Sequence, residues 1–328
     1  MLNVPSPTSV ARFPPAFGQR VLLTVDTEEE FDWNGPFQRD GYGLSHVGAI
    51  PRFQAFCERL GAHPVYLVDW PIVSDARAIE VIKDAVHRGM ADVGVQLHPW
   101  VNPPFDEDVC AFNSYAGNLP GALEAEKFML LRDAIEGAFG SAPLIYRAGR
   151  YGLGPHTAEL LTRAGIKIDT SVRSLFDYSQ QGGPDYTSHP LTPYWVDSSQ
   201  RLLEIPVTTV HSGALRGMGA PVQRLVTRIK HGMGMLSRLG LLERIALTPE
   251  GVASADALRA IDLALDQDLP VLVLSFHSPS LAPGHTPYAR TTADVEKLYE
   301  WFETVYAHLA LRGVKSCTVS DILTAIDE

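Results

Sequence analysis

Cysteine is scarce in this chain. Only Cys57, Cys110 and Cys317 occur among 328 residues, and no CxxC spacing exists. Three scattered thiols do not make a disulfide framework or a structural zinc site, so a reducing compartment is expected. Long apolar runs are lacking too. The longest, Val271–Leu274, is far too short to span a bilayer. The first twenty residues hold Pro5, Pro7, Pro14 and Pro15 without a continuous apolar stretch, which does not read as a signal peptide. The cytoplasm is therefore the expected location. Basic charge is in deficit: 27 Lys and Arg stand against 38 Asp and Glu, a net charge of -11. Nucleic acid is not the expected partner, because its footprint would be basic. Internal repeats, low-complexity tracts and a Gly-rich phosphate loop are absent as well.

What remains is a chain with 45% hydrophobic residues, enough for a full core in one large α/β domain or two smaller ones. Residues 1–20 read as an irregular arm, and 21–328 as a single domain. Strand-like segments are expected at 21–25, 64–68, 92–97, 144–146, 166–169, 202–210, 271–276 and 316–319. Helical spacing lies between most of them, at 50–60, 76–87, 123–139, 155–164 and 291–311. Alternation of this kind predicts a mostly parallel sheet with helices outside. Seven or eight strands predict a distorted (β/α)7-type barrel, with long loops at the strand carboxyl ends. The glycine-rich stretch near 212–254 interrupts the rhythm and reads as a helical excursion with a basic piece, Arg224–Arg238.

The chemistry gathers after the strands. The first apolar run, Val21–Val25, is followed by Asp26, Glu28, Glu29, Glu30 and Asp32. Like charges repel, so folding alone gives no reason to crowd them. In α/β folds this end of a strand forms the ligand-binding rim. Later strands end in His98-Pro-Trp100, in Arg147-Ala-Gly-Arg150-Tyr151, in Asp169-Thr-Ser and in His277-Ser-Pro. Such a set supports metal-assisted hydrolysis. His98 with Glu28 or Asp26 supplies metal ligands. Asp26 is the candidate base, His277 the candidate acid, and Asp169 its candidate orienter. Arg147 or Arg150 is expected to pair with Asp26. Trp100, Arg150 and Tyr151 are the candidates for substrate contact.

The order of these motifs resembles the polysaccharide deacetylases, carbohydrate esterases with a chitooligosaccharide-deacetylase homology domain. Thr24-Val-Asp26-Thr-Glu28 is similar to their first motif, Asp92–Trp100 to their histidine motif, and Arg147–Gly152 to their arginine motif. Asp169-Thr-Ser171 and Ser275-Phe-His277 match the fourth and fifth. The resemblance runs from about residue 20 to 325. It implies a distorted (β/α) barrel, a divalent metal (Zn, Mn or Mg), and removal of acetyl groups from N-acetylated sugars or glycoconjugates. Two departures matter. Thr27 stands where the ligand aspartate is usual, which shifts that role to Glu28. The paired histidines are incomplete: one register puts Gln96 and Trp100 at their places, the other pairs His98 with Asn102. Such a site holds a harder cation than two imidazoles select, or no metal. A non-catalytic carbohydrate-binding protein is the alternative.

Overall fold

The structure is a computed structural model, and it describes residues 3–218, 235, 236 and 238–327. Its frame is a curled sheet. Seven parallel strands run in the order β10-β1-β2-β3-β4-β5-β7. They are β1 (Arg20–Thr27), β2 (Pro64–Val68), β3 (Asp92–Leu97), β4 (Ile145–Ala148), β5 (Ile168–Asp169), β7 (Leu203–Glu204) and β10 (Val271–His277). Strand β6 (Tyr194–Trp195) adds antiparallel to β7, and β11 (Lys315–Ser316) pairs with the start of β1. The open side between β7 and β10 is bridged by single backbone bonds. Thr208 donates to Val273, Leu247 to Thr208, and Ser275 to Leu247. The result is the expected distorted (β/α) barrel.

Helices cover the outside: α1 (Ile50–Leu60), α2 (Trp70–Ser74), α3 (Ala76–His87), α4 (Gly121–Phe139), α5 (Thr157–Arg163), α6 (Ser254–Leu265), α7 (Thr292–Leu311) and α8 (Val319–Asp327). Asp69 and Asp75 cap α2 and α3, and Thr291 with Asp294 forms a capping box on α7. The strand–helix layer is one apolar cluster built from Val21, Leu23, Val25, Tyr66, Val95, Leu97, Leu272 and Leu274 with the helix faces. The alternate strand positions, Leu22, Val65, Leu67, Ile145, Ile168, Leu203, Val271 and Val273, fill the lower lumen with Phe17 and Ile322.

Period-2 alternation then dictates the upper lumen. Above Leu22 come Thr24 and Asp26, above Ile145 comes Arg147, and above Val273 come Ser275 and His277. An apolar floor thus becomes a polar mouth at the carboxyl ends of the strands. Gly94 lets β3 and β4 lie close: a Cβ there would meet Ile145 Cγ2 at 2.6 Å and the Ile145 carbonyl at 2.8 Å.

Three expectations need correction. The segment 202–210 is not one strand. It breaks at Pro206, which has no N–H for a ladder, into β7 and β8 (Thr209–Ser212). Strand β8 forms an antiparallel ribbon with β9 (Glu243–Ala246), so part of the excursion is β-structure. The piece Arg224–Arg238 lies almost wholly outside the described residues. Helix α6 follows that ribbon unforeseen. The segment 316–319 is mostly not strand: β11 stops at Ser316, and Thr318 with Asp321 opens α8 by reciprocal side-chain bonds.

Candidate active site

The barrel mouth holds a cavity of about 330 Å3, within the range of small-molecule sites. Asp26, Glu28, Gln96, His98, Trp100, Arg147, Arg150, Tyr151 and His277 all line it. Asp26 and His277 are cross-strand neighbours in the β1/β10 register. His277 Nε2 lies 3.8 Å from Asp26 Oδ2. Arg147, fully buried, settles which arginine pairs with Asp26. Its Nη1 bonds Asp26 Oδ1 and Ser275 Oγ, its Nη2 reaches Thr24 and Thr170, and its Nε reaches the Thr170 carbonyl. Every face of the guanidinium is occupied, so it acts as a fixed positive post beneath Asp26.

Asp169 does not orient His277, contrary to expectation. Ile168 points into the lumen, so Asp169 points to the outer face, and its Oδ1 accepts from Ser171 Oγ at 2.5 Å. There it lies beside Glu204, and burial raises it above its usual range. Burial, then the Asp169 charge, raises Glu204 well above the carboxylate range. The partner of His277 is Glu250, which no sequence motif pointed to. Glu250 Oε2 lies 2.6 Å from His277 Nδ1, while Oε1 accepts from the His277 amide at 3.2 Å and Ser280 Oγ at 2.5 Å. Burial alone would lower His277, but Glu250, Glu28 and Asp26 outweigh it and lift the imidazole to about 10. At neutral pH it carries a proton on both nitrogens.

His98 is braced in the same way. Its Nδ1 is 3.0 Å from Glu29 Oε2, and Trp100 Nε1 donates to Glu29 Oε1 at 2.8 Å. Burial opposes ionisation of Glu29, yet His98 beside it brings the carboxyl down to about 2. Asp69 is pushed up by burial and then by Glu29. Nε2 of His98 is therefore the atom turned to Glu28, 3.5 Å from Oε2. The ring of Trp100 stacks on His98 at 4.3 Å. Glu29 was a missed residue; only its place in the acidic run hinted at it.

Two clusters have metal-ligand chemistry. Glu29, Asp69 and His98 bring candidate ligand atoms within 4.8 Å of one another. Their carboxylate oxygens are already spoken for by Trp100, His98, and the Glu29 and Ile72 amides. The second set faces the cavity: Glu28, Gln96 and His98. Gln96 Nε2 donates to Glu28 Oε2 at 3.2 Å, while Glu28 Oε1 and Gln96 Oε1 are buried without partners. Burial lifts Glu28 to about 8, with Glu29 and Asp26 adding to it against His277 and His98. Two orphaned oxygens, one buried carboxyl and one imidazole nitrogen fit a divalent cation. Asn102 faces elsewhere, its amide donating to the Pro103 and Lys127 carbonyls, while Gln96, His98 and Trp100 all line the cavity.

The walls are aromatic. Trp33 meets His277 edge-on at 5.0 Å and Tyr288 at 5.8 Å, and Tyr151 stacks with Tyr178 at 5.9 Å. Arg150 and Tyr151 hold left-handed backbone, φ 54° and 62°, a strain that persists where surrounding structure enforces it and that clusters at functional sites.

No protein-family model matches the sequence, and no curated protein matches it. Solved structures do. A Mycobacterium smegmatis protein assigned as a polysaccharide deacetylase is 16% identical, with a TM-score of 0.53 over 98% of this chain and 94% of that one. An allantoinase is 15% identical, with a TM-score of 0.54 over 98% and 93%. A GH57 branching enzyme from Thermococcus kodakaraensis is 12% identical, with a TM-score of 0.51 over 93% and 71%. The shared feature is the fold, which this chain has in common with proteins of the deacetylase-like group.

Proposed function

We propose that the protein is a hydrolase that removes an acyl group, acetyl first among them, from the nitrogen of an N-acylated sugar or glycoconjugate. The observation that carries the reading is the facing pair Asp26 and His277. Each is locked by its own partner, Arg147 or Glu250, at the mouth of an aromatic-walled cavity. One oxygen of Asp26 is tied to Arg147 and the other is turned to the cavity, where it takes the proton of an attacking water. As the oxygen–carbon bond forms, His277 Nε2–H stands ready on the other side. It passes its proton to the amine nitrogen as the carbon–nitrogen bond breaks, giving a free amine and a carboxylate. Glu250 keeps the imidazolium oriented and charged until that moment. A divalent cation held by Glu28, His98 and Gln96 would supply polarisation of the acyl oxygen and acidification of the water. Trp33, Tyr151 and Tyr178 present faces on which a sugar ring can lie. A cytoplasmic setting goes with this reading.

The test is acetate release from N-acetylglucosamine oligomers and their conjugates, by protein purified without chelator and assayed for bound metal. Turnover lost in Asp26→Asn, and a metal lost in Glu28→Gln, support the proposal. Gln96 in place of an imidazole favours one other reading, a carbohydrate-binding protein without turnover. Sugar binding that is undiminished in both variants, with no acetate from any protein, decides for it.

A further inference from the structure

We propose that the substrate carries an anionic group, phosphoryl or carboxylate, and that Arg173 recognises it. The placement of this group rests on the hydrolase reading above; its existence rests on the cavity wall alone. Arg173 lines the same cavity as Asp26 and His277. Its hydrogen bond goes to Tyr178 Oη at 3.2 Å, and its Nε is buried without a partner. Its guanidinium lies 3.9 Å from the Phe176 ring centre and 5.2 Å from that of Tyr151. Aromatic faces hold a cation in place but leave its N–H fork free for an acceptor.

A second guanidinium stands over the same ring. Arg244 lies 3.5 Å from the Phe176 centre and donates to the Leu175 carbonyl at 2.7 Å. Burial, then the charge of Arg173, draws Arg244 down to about 10. Glu243, beside it in the chain, is engaged by Arg259 at 3.0 Å. Arg150, also on the cavity wall, meets only neutral acceptors: Ser114 Oγ at 2.5 Å, Gln181 Oε1 at 2.6 Å and the Ala111 carbonyl at 3.2 Å. None of the three forms an ion pair among the described residues.

That is a strange arrangement for an acidic protein. The chain has 38 carboxylates for 27 Lys and Arg, yet two like charges share one ring with no carboxylate placed between them. The cavity's carboxylates have partners of their own: Asp26 with Arg147, Glu250 with His277, and one oxygen of Glu28 with Gln96. Asp26 and His277 face the amide, and the guanidinium groups of Arg173 and Arg150, free of any carboxylate, lie on the wall of the same cavity. A planar fork binds phosphoryl or carboxylate oxygens in pairs, which fixes register as well as affinity. A neutral polymer offers such a wall only uncharged acceptors; a sugar phosphate, nucleotide-linked sugar or acidic sugar offers it a charge as well.

The test is calorimetric binding at low salt with three probes: N-acetylglucosamine, N-acetylglucosamine 1-phosphate and N-acetylmuramate. At least one charged probe is expected to bind more than tenfold tighter than the neutral one. Arg173→Gln should erase that preference, weakening the charged probe by roughly tenfold to a hundredfold and by much more than the neutral sugar. Arg173→Lys keeps the charge without the fork and should retain part of it, which covers the case in which Arg173→Gln does not fold. Preference for the phosphate or for the muramate identifies the source of the anion. Equal binding of all three probes, or a preference that survives both variants, overturns the proposal. Acetate release is measured in parallel on the wild-type protein. Its absence, with an Arg173-dependent preference intact, strikes the hydrolase reading and leaves the anion site standing.

Discussion

Glu28 makes the metal-free protein sensitive to alkali, and Glu28→Gln should cure it. The carboxyl is 2% exposed, and burial lifts it from 4.5 to about 8. A group whose folded pKa is raised stabilises below its unfolded value and loses that contribution as pH climbs to the folded one. The window is therefore pH 4.5 to about 8. At roughly 1.36 kcal/mol per unit the loss across it approaches about 5 kcal/mol, comparable to the whole stability of a small domain. Glutamine keeps the shape and cannot ionise. Urea unfolding of wild-type and Glu28→Gln proteins, both stripped with chelator, should give near-equal midpoints at pH 4.5 and a widening gap up to pH 8.5. A divalent cation should close the gap by stabilising the wild type alone. Parallel stability curves for the two proteins across this range would refute the reasoning, and with it the assignment of Glu28 as a proton- or cation-requiring group.

Three further outcomes follow from the same geometry. Glu250→Gln removes the main anion holding His277 protonated, so the alkaline limb of kcat should move down from about 10 toward neutrality, with kcat at pH 8 falling tenfold or more; an unmoved limb counts against His277 as the acid. Asp169→Asn should leave that limb in place and show its effect in thermal stability, because the carboxyl lies outside the lumen with Glu204. Gly94→Ala forces a methyl against Ile145 and Leu67, and should cost about 1–3 kcal/mol in chemical unfolding while the chemistry of the mouth stays intact.

Much of the barrel was legible because its signals are local. Strands β2 and β3 and helices α1 and α3 have the boundaries expected from apolar runs and helical spacing. Strands β5 and β7 are two residues long and carry no period to read. Helix α8 was hidden behind the β-branched run at 318–319, where a threonine serves as a cap. The site was legible in its strand-borne members, Asp26, His98, Arg147 and His277, since each sits where a strand meets the rim. Asp169 misled because its residue type fits the chemistry while its parity does not: Ile168 occupies the lumen position. Glu250 was invisible for the opposite reason. It belongs to the turn Thr248-Pro-Glu-Gly251, after a ribbon whose pairing only three dimensions reveal.

The pairing of β1 with β10 has a consequence for how the molecule comes into being. Asp26 and His277 stand side by side, though some 250 residues of chain separate them. During synthesis the first half of the pair emerges early and waits, exposed and inert, until nearly all the remaining chain has left the ribosome. Closing so large a loop is slow. A half-made copy therefore has no working mouth, and the appearance of activity during refolding should serve as a clock for the last seam of the barrel.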